Sequence, residues 1–254
     1  MPAKRHAKTL GTLTAIVVIA LGGLMISSPR VQANDGGENN DRDRDDSRVE
    51  RGFKVAPVRL NLEGKDRRLV GLGSYLVNTV AACDDCHSVS EYAAGRNPYF
   101  GQKKKIDPTD YLGGGVDFGP FVPGSPDIVS RNLTPDKTGL PEGGHTLAEF
   151  RQIMRTGIDL DHLHPSCSPT VTTNCLPAPF DGEVLQIMPW PIYKNWTDED
   201  LRAIYEYLSA IPCIDNTNST PPRGAPNELR NDCGEGQAVG QDKALGAQPR
   251  TKRY

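Results

Sequence analysis

The stretch Cys83-Asp84-Asp85-Cys86-His87 sets two thiols three positions apart with an imidazole next in the chain. That arrangement is what covalent haem attachment requires: each sulfur adds across a vinyl group, and the adjacent His falls beneath the porphyrin as proximal iron ligand. A redox CxxC pair needs no following His, and a zinc site needs a second close ligand pair, which the chain does not supply. Cys83, Cys86 and His87 therefore predict one covalently bound haem c.

Upstream, residues 66–82 repeat apolar side chains at three- and four-residue intervals (Leu69, Leu72, Leu76, Val80), so a helix is expected to run straight into Cys83. Gly71 and Gly73 lower its helix propensity and point to close approach of another backbone, while Tyr75 reads as a core aromatic. Further out, residues 34–52 are Gly, Asn, Asp and Arg with almost no apolar side chain, and are expected to form a disordered acidic linker. The first residues read as a targeting segment. Lys4, Arg5 and Lys8 precede an apolar run, Leu13 to Ile26, and Val31-Gln32-Ala33 offers a small-residue cleavage site, so 1–33 is expected to be a signal peptide. The alternative is an uncleaved anchor, since about seventeen mostly apolar residues follow from Leu10, near the lower limit for a span. Either way the chain is expected outside the cytoplasm, periplasmic or secreted, and touches a membrane only if the segment is retained.

Downstream, residues 90–144 lose all periodicity and turn rich in Gly and Pro, a length of loop expected to wrap something. Tyr111, Phe118 and Phe121 serve there either as lining for a haem edge or as ordinary loop packing. Thr146 with Glu149 and Thr197 with Asp200 form capping boxes that open two helices. The first carries Leu147, Phe150, Ile153 and Met154 and ends at Gly157. The second carries Leu201, Ile204, Tyr205, Leu208 and Ile211 and stops at Pro212. Between them lies an irregular insertion with His162, His164, Cys167 and Cys175, whose spacing fits no compact zinc pattern. The four cysteines outside the motif allow three pairings, of which Cys167–Cys175 and Cys213–Cys233 are preferred. Residues 53–233 then form the folded domain, and 234–254 are expected to be disordered.

The 254-residue chain has net charge −3, and loss of the four cations Lys4, Arg5, Lys8 and Arg30 with the signal takes it to −7. An acidic chain is a poor nucleic-acid binder and suits a basic redox partner, although such charge also serves solubility alone. For the sixth iron position the candidates after residue 33 are Met154, Met188, His145, His162 and His164. Met154 sits on a helix face with Phe150 and reads as core. Met188 lies in Gln186-Ile187-Met188-Pro189-Trp190-Pro191, a loop stiffened by prolines that can hold a thioether against iron.

Taken together, the sequence resembles class I c-type cytochromes, and more closely the monohaem bacterial domains associated with membrane-linked dehydrogenases. The resemblance rests on Gly73-Ser74-Tyr75-Leu76 leading to Cys83–His87, then Asn132-Leu133-Thr134-Pro135-Asp136, Arg155-Thr156-Gly157, Met188-Pro189-Trp190 and Thr197–Leu201 leading to Tyr207-Leu208. It covers residues 66–212. It implies an all-α fold, a small helical cytochrome c-type domain wrapped around one covalent haem with long Gly/Pro-rich loops, in which the first and last helices cross. His87 and Met188 would be the axial ligands, Arg155 would lie near a haem propionate, with a surface salt bridge as its alternative role, and Trp190 would pack near the haem edge. The implied function is single-electron transfer between redox proteins, a dehydrogenase donor and an oxidase or other cytochrome acceptor, without enzymatic activity of its own. The competing reading is a peroxidase or gas sensor with an open sixth position, for which His145 and the Asp161–His164 segment are the only distal material. The insertion, the long loop and the single haem motif depart from the family's dehydrogenase subunits, which commonly carry several motifs.

Overall fold

The computed structural model describes residues 37–216 and 231–234. The proposed signal peptide 1–33 and the C-terminal stretch past Gly234 lie outside the described residues.

Two helices organise the core: α2 (Arg67–Tyr75), continued by a π-helical turn (Leu76–Val80), and α7 (Asp198–Leu208). Asp66 caps α2 by accepting from the amides of Arg68 and Leu69. The two helices meet where Gly73 faces α7; a Cβ there would run into the Ala203 carbonyl and come within 2.8 Å of Tyr207 Cβ. The absence of a side chain at Gly73 thus sets the helix spacing. Leu69, Val70, Leu72, Leu76 and Val77 then close against Leu201, Ile204, Tyr207 and Leu208, all at most 6% exposed. Helix α5 (Leu147–Thr156) adds Phe150 and Met154 to the same core. Both capping boxes form, Thr146 with Glu149 and Thr197 with Asp200, and Gly157 ends α5 in the left-handed conformation at φ 73°.

Of the stretch expected as a disordered linker, residues 37–52 are instead helical: α1 spans Gly37–Val55. Polar as it is, it presents Val49 and Phe53 one turn apart, and both pack on the main core. A Cβ on Gly71 would meet them at 2.6 and 2.7 Å, and one on Gly52 would lie 2.9 Å from Tyr75 N, so two glycines let the helices touch backbone to backbone. Ser74 Oγ donates to the Gly52 carbonyl at 2.8 Å, and the Arg67 guanidinium lies 4.2 Å from the Phe53 ring centre.

The fold is not all-α. Only 35% of it is helical, and an antiparallel two-stranded sheet pairs β1 (Asp117–Pro120) with β2 (Asp127–Val129) inside the long Gly/Pro-rich region. Strands of four and three residues are too short to show alternation, and the Gly and Pro between them read as loop. Shorter turns among the described residues include α3 (Cys83–His87), α4 (Pro141–Gly144), which is interrupted by left-handed Glu142 and Gly143, and α6 (Trp190–Tyr193). Disulfides join Cys167 to Cys175 and Cys213 to Cys233, and mark an oxidising, extracytoplasmic compartment. Among the described residues no helix is long and apolar enough to cross a membrane.

Candidate functional site

The expected continuous helix into Cys83 is broken just before it. Ala81 N closes the π turn on the Leu76 carbonyl at 2.9 Å, Ala82 takes a left-handed conformation at φ 48°, and α3 starts afresh at Cys83. Within that turn Cys83 and Cys86, three positions apart, share one side of the helix. Neither is in a disulfide; Cys83 is half-buried and Cys86 exposed. Burial, reinforced by the Asp84 carboxylate, pushes the Cys83 thiol up to about 12, and burial with Asp85 raises that of Cys86.

His87 is held from two sides. Its Nδ1–H donates to the Arg131 carbonyl at 2.8 Å, which sets the tautomer and leaves the Nε2 lone pair as the ring's free donor to a metal. Burial holds its pKa below the ordinary value, so the ring is neutral at neutral pH. On the other side the backbone carbonyl of His87 accepts from Gly114 N at 2.8 Å, and Ser88 Oγ accepts from Leu112 N at 3.0 Å. Gly114, at φ 70°, is wedged in place: a Cβ would lie 2.5 Å from the Arg131 carbonyl oxygen and from Asn132 N. The Gly113-Gly114-Gly115 run therefore wraps the Cys–His turn itself.

Arg131 reaches further with its side chain. The guanidinium is 12% exposed and pairs with Asp159 and, at 2.5 Å, with Asp161, so one residue carries His87 on its backbone and the start of the insertion on its side chain. Glu142 is buried beside this group at φ 53°; burial raises its pKa, and its Oε2 has no hydrogen-bond partner. His145 bonds the Glu142 carbonyl through Nδ1 and faces Asp161 through Nε2 at 3.7 Å. His162 faces Glu183 at 3.5 Å, and His164 is buried, its pKa lowered by that burial.

Met188 is half-buried at the margin of the main core, just ahead of α6. Its segment returns to the cysteine turn through Tyr193, whose hydroxyl reaches the Ala81 carbonyl at 3.5 Å and is raised to about 12 by burial and by the nearby Cys83 and Cys86. Trp190 covers the end of α5: a Cβ on Gly157 would lie 2.5 Å from its Nε1, which donates to the Leu185 carbonyl at 3.1 Å. Arg155 occupies the alternative considered for it, an exposed ion pair with Asp198 at 2.9 Å, and it also bonds the Lys194 carbonyl. Of the loop aromatics, Tyr111 is core, Phe121 stacks on Phe180 at 4.8 Å, and Phe118 is exposed.

Two residues near the turn, Arg131 and Asn78, carried no signal in the sequence, and Asn78 joins Tyr111 and Tyr207 there. Asn78 accepts from the Tyr111 hydroxyl at 2.6 Å and donates to that of Tyr207 at 3.1 Å, while the two hydroxyls lie 2.8 Å apart. Asn78, half-buried at the middle of the π turn, thus ties that turn to two buried tyrosines, and burial raises both phenols. Comparison of the chain with family models, curated proteins and solved structures finds no match.

Proposed function

We propose that the chain is a monohaem electron carrier, with haem c joined to Cys83 and Cys86 and His87 as proximal ligand. The observation that carries this reading is the Nδ1 bond from His87 to the Arg131 carbonyl, which leaves Nε2 free on the same turn as two unpaired thiols. When bound, haem supplies the reversible ferric–ferrous couple. Arg131 fixes the ring and raises its basicity as an iron ligand. Val80 and Val89 beside the turn, and Ile187 and Ile192 beside Met188, are 38 to 68% exposed and offer apolar walls to a flat macrocycle. Met188 is the residue that would offer a thioether to the iron, a ligand that would favour the reduced state. A dithiol redox function fits poorly, because a CxxC nucleophile needs a depressed thiol pKa and that of Cys83 is raised.

Within the extracytoplasmic compartment we place the protein in the periplasm or secreted, exchanging electrons with a dehydrogenase-type donor and an oxidase or cytochrome acceptor. The resemblance to class I c-type cytochromes supports this, as does the acidic charge for docking on a basic partner. The resemblance also places Arg155 near a haem propionate and Trp190 near the haem edge; in the fold Arg155 pairs with Asp198 and bonds the Lys194 carbonyl, and Trp190 Nε1 donates to the Leu185 carbonyl.

The intact mass of the exported protein tests the attachment: it should exceed that of the chain by one whole haem. A bare mass with two alkylatable thiols would refute it. The far-red sulfur-to-iron charge-transfer band, present in the wild type and lost in Met188→Ala, assigns the sixth ligand. Ready uptake of carbon monoxide by the wild type would transfer the chain to the open-site class.

A further inference from the structure

Four residues past His87 the chain leaves on a closed excursion, 91–107, whose base is tied by Asp107 N to the Glu91 carbonyl at 3.1 Å, by pairing of Tyr92 with Ile106, and by Ala93 N to the Lys105 carbonyl at 3.0 Å. Its tip is a 3-10 turn, Pro98–Phe100, on which Tyr99 and Phe100 are 83% and 78% exposed, the most exposed large apolar side chains among the described residues. Arg96, Lys103, Lys104 and Lys105 flank them, all exposed, and residues 92–106 contain no carboxylate. On a chain of net charge −3 this stretch alone carries +4.

The backbone of the tip is also satisfied from within. Asn97 N donates to Gln102 Oε1 at 2.9 Å, Tyr99 N to Asn97 Oδ1 at 2.9 Å, Phe100 N and Gln102 N to the Asn97 carbonyl at 3.1 and 3.3 Å, and Gly101 N to the Pro98 carbonyl at 2.9 Å. Pro98 has no N–H, so every amide donor from 97 to 102 is paired. Paired donors are what a segment needs to enter a medium poor in water.

We propose that the 97–105 tip docks on an anionic lipid surface, seating Tyr99 and Phe100 among the headgroups while the four cations meet lipid phosphates. A convex tip with two aromatics side by side needs a deep pocket on a folded partner, whereas a bilayer interface deforms to accept it, and aromatic residues favour that interface. The surface charge of anionic lipid complements the cations, each worth about fivefold in partition. The proposal does not depend on haem.

The test is co-sedimentation of the full chain with vesicles of phosphatidylcholine alone and with about one-third phosphatidylglycerol. The wild type should favour anionic vesicles. The Lys103→Gln/Lys104→Gln/Lys105→Gln variant should lose about 100-fold in partition. The Tyr99→Ser/Phe100→Ser variant should bind at least about tenfold more weakly with an unchanged unfolding midpoint. Variants that bind like the wild type, as the apolar run Leu13–Ile26 alone would give, overturn the proposal. Equal partition of the wild type onto neutral and anionic vesicles also overturns it, and leaves the cations to an acidic protein.

Discussion

Gly114→Ala drives one methyl group into the Arg131 carbonyl that orients His87. Gly114 has φ 70°, and its new Cβ would lie 2.5 Å from the Arg131 carbonyl oxygen and from Asn132 N, backbone atoms with no flexible end to swing aside. Two costs add. A left-handed L-residue costs about 1–2 kcal/mol, and overpacking against fixed atoms about 1–3 kcal/mol. Gly64→Ala isolates the first: Gly64 has φ 68° with nothing within 4 Å of the added Cβ. Strain and the unfolded-state entropy gain are common to both variants, so the difference between them should be the clash, about 1–3 kcal/mol. Equilibrium guanidinium unfolding of the two proteins measures it. If haem is attached as proposed, the same displacement should weaken His87 as a ligand by about 10–100-fold and move its acid-induced release upward by about 1–2 pH units. If Gly114→Ala proves no less stable than Gly64→Ala, the Gly114–Arg131 wedge does not hold the site.

Three other outcomes are expected. Thr197→Ala removes the cap on α7, which accepts from Asp200 N at 3.0 Å, and should lower stability by about 1 kcal/mol in urea unfolding; no change would place the start of α7 outside the cooperative unit. Replacing Cys213 and Cys233 by Ser opens a loop of sequence separation 20 and should cost about 3 kcal/mol by chain entropy, slightly more than the same change at Cys167 and Cys175 with separation 8, as read from thermal unfolding of each pair. Glu142 has its pKa raised in the fold above the ordinary 4.5, so the folded state binds the extra proton: its contribution is intact below pH 4.5 and is lost as pH rises through the folded value. Glu142→Gln should therefore gain stability relative to the wild type as pH rises above about 4.5, and a difference constant with pH would contradict this.

Much of the scaffold was legible because its interactions are local. Thr146 and Glu149, or Thr197 and Asp200, are three residues apart, so the capping boxes are present in the spacing itself. The apolar stripes of α2 and α7 are legible for the same reason, as is the short Cys167–Cys175 loop. Gly71 and Gly73 announced a close backbone approach, though not which backbone. The α1 helix was hidden because its own composition argues for disorder; only Gly52 and Gly71, lacking side chains, let Val49 and Phe53 reach the core and offset its ordering entropy. The small sheet was hidden because three or four residues cannot display a period.

At the site, the sequence by itself determined the chemistry on offer: two thiols and an imidazole on one turn, with a thioether in a proline-stiffened loop. Tertiary structure decided which lone pair of His87 is free, because that depends on the carbonyl of Arg131, 44 residues away. It also tied Arg155 to Asp198 and brought Tyr193 to the cysteine turn. Residue types and short spacings are written in the chain, whereas a backbone carbonyl is the same at every position and acquires a role only through where the fold puts it.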